Sequence, residues 1–259
     1  SNWVAWNLED SHIGDIDRCE CYTFDPLLPD GLTEIVNLDY TGSGYSRGHM
    51  AQSFNRTATL PDNAATYWLT NILPQSSANN GGPWGDFEFY TNGRVFGGEE
   101  AYLVAGGIWG DAPTTLKGEG RVQIPDYTWK VAVFLPKDGT LADVKSVDDL
   151  EVIAIVTPNR TESGVPGGVD EITSNDWEDY VVEVDEIERR TGYDVLSLLA
   201  PEIEGRIETG LDDVFEVFDA AVAAGSISRW PAFFLGLDLN GAAKLFGLER
   251  DRFGKVALK

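Results

Sequence analysis

Two nearly uninterrupted apolar runs of strand length constrain the fold of this chain most; they lie among residues 101–106, 129–135 and 152–156, all read as strands. None of its apolar stretches approaches the roughly 20 residues that a membrane span needs. A first strand is expected at Trp3–Leu8, and the aromatic and β-branched stretch 65–72 reads as a buried strand ended by Pro74. Pro83 is acceptable at a first helical position, so 84–90 should form a short helix. A second helix of about two turns is expected at 185–191, where Asp185 and Glu188 resemble a capping box and Gly192 a C′ glycine. Beyond residue 204 the pattern changes. Leu211, Val214, Phe215, Phe218 and Val222 recur at helical spacing, with Gly225 as a stop, and apolar segments follow at 230–235 and 242–248. The expectation is a main domain at 1–204 and a helical C-terminal extension at 205–259 packed on it.

The length of 259 residues suits one large domain or two small ones, and 42% hydrophobic with 11% aromatic residues argues for a packed globule. The first six residues already read as strand with no apolar targeting segment, so the N-terminus is expected to be processed or truncated. The formal charge is −24, from 19 basic and 43 acidic side chains. That is the wrong sign for holding nucleic acid by electrostatics alone. It favours solubility, above all at high salt, where repulsion between carboxylates is screened.

Cys19 and Cys21 are separated by one residue. On a strand they would share one face, which makes a mutual disulfide awkward, and two thiolates without partners make a poor zinc site. Two isolated cysteines near a loop are expected. Asn55-Arg56-Thr57 and Asn159-Arg160-Thr161 are glycosylation sequons.

The chemistry-bearing residues come in an ordered series. Ser46-Arg47-Gly48-His49 is followed by Thr70-Asn71-Ile72-Leu73-Pro74-Gln75, then Asn79-Asn80-Gly81-Gly82-Pro83-Trp84, then Glu88. The chain has only two histidines, and His12 has no such surroundings. An imidazole accepts a proton from water at neutral pH. A carboxamide such as Asn80 is a hard neutral ligand, suited to Mg²⁺, which takes one or two protein oxygens and keeps several waters. Capping a helix is the commoner role for such an Asn, and Asn79 fits it equally. Glu88, or Asp86 as its rival, could face the same site or be an exposed helix carboxylate. Asn71 and Gln75 could donate to phosphate or satisfy backbone groups at a strand end. Arg18 and Arg47 are candidate phosphate clamps or ordinary surface arginines.

Taken together, the series resembles the DNA/RNA non-specific endonucleases of the ββα-metal superfamily. The Asp-Arg-Gly-His motif of that family stands here as Ser46 to His49, its strand end as Thr70 to Gln75, its metal-binding Asn as Asn80 and its helical Glu as Glu88. Later segments, 102–106, 127–131, 184–188 and Thr191-Gly192, also resemble the family, so the likeness covers roughly residues 2–204. The resemblance implies an α+β fold, with a mixed, mostly antiparallel central sheet flanked by helices and a ββα-metal motif. It implies His49 as general base, Asn80 as ligand of Mg²⁺ (or Mn²⁺), Glu88 as a partner beyond the ligand, and Arg18 and Arg47 facing phosphate. It places Asn71 and Gln75 in the site as well. The implied substrate is DNA and RNA, the products carry 5′-phosphates, no membrane is involved, and a homodimer is left open. Secretion, extracellular rather than periplasmic, is the implied localisation.

Three departures stand out. Ser46 replaces Asp, Gly81 stands where Gln is common, and the Arg one turn after the helical Glu is Asn92, with Arg94 two residues late. The alternatives are a nuclease-fold protein that binds nucleic acid or a partner without turnover, and an acidic Ca²⁺-binding protein, for which no calcium loop is present.

Overall fold

The computed structural model describes residues 2–118, 120–140, 143–159, 171–197, 199, 201–208, 248–250 and 256–258. The chain forms two compact units, one of Ser1–Gly139 with Ile153–Val181 and one of Thr140–Val152 with Val182–Lys259.

The strands are β1 (Trp3–Leu8), β2 (Ser46–His49), β3 (Ile72–Gln75), β4 (Glu99–Ile108), β5 (Tyr127–Pro136), β6 (Glu151–Pro158) and β7 (Val181–Val182). A five-stranded sheet runs in the order β1-β4-β5-β6-β7. β1 pairs antiparallel with β4 through Leu8 opposite Ala101, and β4 with β5 through Ala105 opposite Lys130. The fold is thus mixed α+β on a mostly antiparallel sheet, as expected. The apolar runs extend beyond their expected ends, because ladder hydrogen bonds continue to Glu99 and Pro136 where the side chains turn polar or exposed.

The helices are α1 (Asn37–Tyr40), α2 (Leu60–Ala65), α3 (Ser77–Gly81), α4 (Pro83–Phe96), α5 (Val184–Thr191) and α6 (Pro201–Glu208). α4 is twice the expected length. Its Trp84, Phe87, Thr91 and Val95 recur at helical spacing and are buried. Phe87 and Val95 pack with Leu103, Ala132, Phe134 and Ile155 of the sheet. The strand expected at 65–72 is corrected. α2 ends at Ala65, a turn carries Tyr67 and Trp68, Leu69–Asn71 form one 3₁₀ turn, and the strand starts only at Ile72. Aromatic composition mimicked a strand there, but Tyr67 is needed as a buried turn residue. Pro74 sits inside β3 rather than ending it. β3 pairs with β2 alone, so the missing amide proton breaks no ladder on its open side.

In the second unit, α5 ends at Gly192, whose φ of 73° is the left-handed cap expected of it. The expected capping box is absent. Glu183 is the N-cap residue and its side chain makes no capping bond, while the Glu188 carboxylate accepts from the Val195 amide. α6 crosses the expected boundary at 204, while 248–250 and 256–258 form a small antiparallel strand pair rather than helix. The helical pattern at 211–222 and the apolar segments at 230–235 and 242–248 lie outside the described residues apart from Leu248. Among the described residues no helix is long and apolar enough to cross a membrane.

Cys19 and Cys21 form a disulfide, with Cα atoms 5.1 Å apart. The expectation of two isolated cysteines, with a mutual disulfide disfavoured by strand geometry, fails because this segment is no strand. Glu20, with φ of 50°, turns the chain so that the flanking side chains meet. Neither sequon presents its Asn to solvent. Asn55 and Asn159 are buried, and Asn159 donates to the carbonyls of Pro74 and Pro125 while accepting from the Ser76 amide.

Candidate active site

β2 and β3 place the first part of the site. Their register sets Ser46 opposite Gln75, Arg47 opposite Pro74, Gly48 opposite Leu73 and His49 opposite Ile72. Gly48 is required by packing, because a Cβ there would lie 1.9 Å from Gln75 Oε1. Leu73 and Met50 pack with Trp84, and the Trp84 indole donates to the His49 carbonyl at 3.3 Å, tying β2 to α4. Ser76 caps α3 by accepting from the Asn79 amide, so neither Asn is the N-cap. The α3–α4 corner turns at Gly82, where a Cβ would meet the Ala78 carbonyl oxygen at 2.3 Å.

These elements border a cleft of about 1070 Å³. Arg18, Arg47, His49, Asn80 and Glu88 all line it. Asn71 and Gln75 do not. Asn71 is buried and accepts from the Ala51 amide while donating to the Ala51 and Thr66 carbonyls, so it fixes the chain just after His49. Gln75 is fully buried beneath Gly48 and donates to Thr128 Oγ1.

His49 is 8% exposed, and among the described residues its Nε2 has no hydrogen-bond partner. Burial, reinforced by the nearby Arg18 charge, lowers its pKa from an ordinary 6.5 to about 4, while a hydrogen bond to the Arg47 backbone acts in the opposite direction. No carboxylate is among the groups that shift it, in keeping with Ser46 where an Asp is usual. The ring is therefore neutral at pH 7, with one nitrogen free to accept a proton.

The arginines are held by neutral groups. Arg18 Nε donates to the Tyr67 hydroxyl at 3.2 Å, and that hydroxyl donates to Ser53 Oγ. The Tyr67 ring stands edge-on to His49 with centroids 4.8 Å apart. Arg47 donates to the Asn37 carbonyl and Thr41 Oγ1, and its guanidinium lies 5.3 Å from the Tyr22 ring centroid. Asn80 is half-buried, and among the described residues no hydrogen bond holds its side chain. Asp86 is exposed and turned to the Trp177 amide, outside the cleft lining.

Glu88 pairs with Lys130 at 3.3 Å. Burial is the largest influence on both, pushing the carboxyl up and the ammonium down, and each opposes the shift of the other. Asn92, in place of the usual Arg, is buried and joined to Asn55 and Gln52 by amide hydrogen bonds. Arg94 is bound to Glu99 and the Tyr90 hydroxyl, away from the cleft lining. Arg18 and Arg47 are thus the only cations among the lining residues. Sequence reasoning missed Tyr67 and Lys130. Tyr67 lies in the 65–72 stretch read as a strand, three residues before the Thr70 to Gln75 run, whereas Lys130 sits inside an apolar strand with no signal of its partner.

A model of DNA/RNA non-specific endonucleases matches residues 1–202. The chain belongs to that family. It is 40% identical over 213 residues to a protein named Nuclease from Nostoc sp., covering 82% of this chain and 73% of that one. It is 32% identical over 169 residues to mitochondrial Nuclease EXOG of Mus musculus, covering 61% of this chain and 44% of EXOG. The chain thus spans less than half of that relative. Among solved structures, the EndoG/EndoGI complex contains a chain with the same fold, at a TM-score of 0.60 and 21% identity, covering 78% of this chain and 80% of that one.

The residues present fit a metal ion of the kind on which this family depends. Among the described residues no three of His, Cys, Asp and Glu converge. The Asn80 carboxamide and the Glu88 carboxylate, which line the same cleft, are oxygen donors of the kind that hold a sparsely ligated, largely hydrated hard cation.

Proposed function

We propose that this protein is a metal-dependent endonuclease that hydrolyses DNA and RNA phosphodiesters without sequence preference, leaving 5′-phosphate ends. The observation that carries the reading is the cleft itself, in which a neutral imidazole with an open nitrogen, two arginines and a free carboxamide meet. His49 Nε2 takes the proton of the attacking water. Its low basicity in the free protein comes from burial and from Arg18. A phosphate seated on Arg18 offsets that charge, so the ring becomes a better base when substrate is present. Arg18 and Arg47 bind and orient the phosphate and stabilise charge that grows on it. Asn80 would hold Mg²⁺ or Mn²⁺ through its amide oxygen, and Glu88 would orient water around that point. The ion, when bound, would supply Lewis acidity to the phosphodiester. Asn71 and Gln75 serve by position, the first fixing the chain after His49 and the second supporting Gly48. No lining group is arranged as a reader of base edges, so backbone contacts dominate. The Cys19–Cys21 disulfide supports an oxidising setting, extracellular or periplasmic.

The test is incubation with plasmid and with RNA, in Mg²⁺ or in EDTA, beside His49→Ala. Metal-dependent degradation that the variant loses is expected. Intact substrate with a gel shift would make the protein a binder instead, and intact substrate without a shift would remove the reading.

A further inference from the structure

The cleft has a second wall that the hydrolysis does not use. Phe54, Phe89 and Phe96 line it, and their exposures of 39%, 79% and 61% are high for phenylalanine. Phe89, Gly93 and Phe96 follow one another at i, i+4 and i+7 on α4, so they share the helix face opposite buried Trp84, Phe87 and Val95. Phe96 is held edge-on by Phe54, with ring centroids 6.2 Å apart. Between the two α4 rings, a Cβ added at Gly93 would meet nothing within 4 Å. Seven residues of helix separate their Cα atoms by about 10.5 Å along the axis, a span of about three base-stacking steps of roughly 3.4 Å.

We infer that this aromatic wall is a stacking subsite for unpaired bases, which makes single-stranded nucleic acid the preferred substrate. The inference rests on the nuclease reading and specifies its substrate. Two observations select this occupant. The wall is continuous with the cleft that holds His49, Arg18 and Asn80. The cleft is also poor in cations, since Asp15 and Asp17 equal Arg18 and Arg47 in number in its lining, Lys130 is taken up by Glu88, and Asn92 brings no charge. A chain of net charge −24 therefore needs a source of affinity that does not depend on phosphate neutralisation. Stacking on exposed rings supplies it, and only bases freed from a duplex offer their faces.

The experiment uses the whole protein in EDTA, so that binding is read without turnover. A fluorescein-labelled 12-nucleotide single strand is compared by anisotropy with an abasic strand of equal length and charge and with a duplex. The base-bearing strand is expected to bind at least about tenfold more tightly than the abasic one, and a Phe89→Ala/Phe96→Ala variant to lose that advantage. Both rings are exposed, so the variant should keep its melting temperature, and its cleavage of plasmid in Mg²⁺ reports the chemistry separately. Equal affinity for base-bearing and abasic strands would overturn the inference while leaving the nuclease reading standing. So would a dimer in sedimentation that the variant dissociates, which would assign the wall to a second copy of the chain. Absence of cleavage with base-dependent binding intact would overturn the nuclease reading and leave the stacking subsite standing.

Discussion

Lys130 Nζ lies 3.3 Å from Glu88 Oε1 and 3.9 Å from the centroid of the Trp84 ring, so a strand of the sheet supplies the counter-ion for a helix carboxylate in the cleft. Lys130 is 1% exposed. A cation so placed is tolerable only while its partner is ionised and the aromatic face is present. The pair therefore couples the sheet core to the acidic side of the cleft.

Removing one member should cost more than removing both. Lys130→Met strands the Glu88 carboxylate beside apolar groups, and breaking a buried pair in this way typically costs about 3–5 kcal/mol. Urea denaturation is expected to show that loss, and the double variant Lys130→Met/Glu88→Gln to recover a large part of it. If the double variant is no better than Lys130→Met, the two residues are not a unit.

A pH dependence follows from His49. Its folded pKa of about 4 lies below the ordinary 6.5, so between those values the unfolded chain binds more protons than the fold. Stability from this group is fully present above about 6.5 and declines as pH falls towards about 4. A shift of that size corresponds to about 3 kcal/mol. His49→Gln should lose less stability than the parent across that window, measured by denaturation at stepped pH. Parallel curves for parent and variant would show that the ring is not buried as described.

Much of this architecture was readable before folding was considered, and what was hidden has a common cause. The sheet strands were visible because their side chains are apolar nearly without break. His49, Asn80 and Glu88 were visible because residue types and spacings carry their chemistry. Tyr67 was misread because an aromatic turn and an aromatic strand have the same composition. Only the fold shows its ring against His49 and its hydroxyl on Arg18. Lys130 pairs across 42 positions of sequence, which no local pattern records. Cys19 and Cys21 were misjudged by assuming strand geometry where Glu20 adopts a left-handed one.

Gly48 links packing to the site. An added methyl would collide with the Gln75 side chain, which is fully buried. Overpacking of this kind costs about 1–3 kcal/mol. Because Gly48 lies between Arg47 and His49, Gly48→Ala should lower both melting temperature and kcat. Adding Gln75→Ala should return part of the stability. A Gly48→Ala protein as stable and active as the parent would contradict the register of β2 on β3.

Salt should affect this enzyme weakly. Two lining arginines neutralise about two phosphates, for which affinity changes about tenfold between 0.05 and 0.2 M salt, against about a thousandfold or more for six or more contacts. With repulsion among its 43 acidic side chains screened as salt rises, activity is expected to persist well above 0.1 M NaCl. An optimum near zero salt with a steep fall above 0.1 M would count against both the two-cation cleft and the role given to the acidic surface.

Tyr67 separates binding from chemistry. Its hydroxyl accepts from Arg18 Nε and donates to Ser53 Oγ, while its ring packs on His49. Tyr67→Phe keeps the ring and removes the hydroxyl, so His49 retains its packing and Arg18 loses its anchor. A hydrogen bond to a charged donor is worth about 1.5–3 kcal/mol, but Arg18 is exposed and water replaces part of it, so the loss should fall near the lower end. The expected outcome is a rise in KM of several-fold to about tenfold for both DNA and RNA, with kcat reduced less. Tyr67→Ala, which also removes the ring, should lower kcat as well, because His49 is then free to tilt and its burial is relieved. If Tyr67→Phe instead lowers kcat at constant KM, the hydroxyl acts on the base rather than on the phosphate clamp, and the role assigned to Arg18 falls with it.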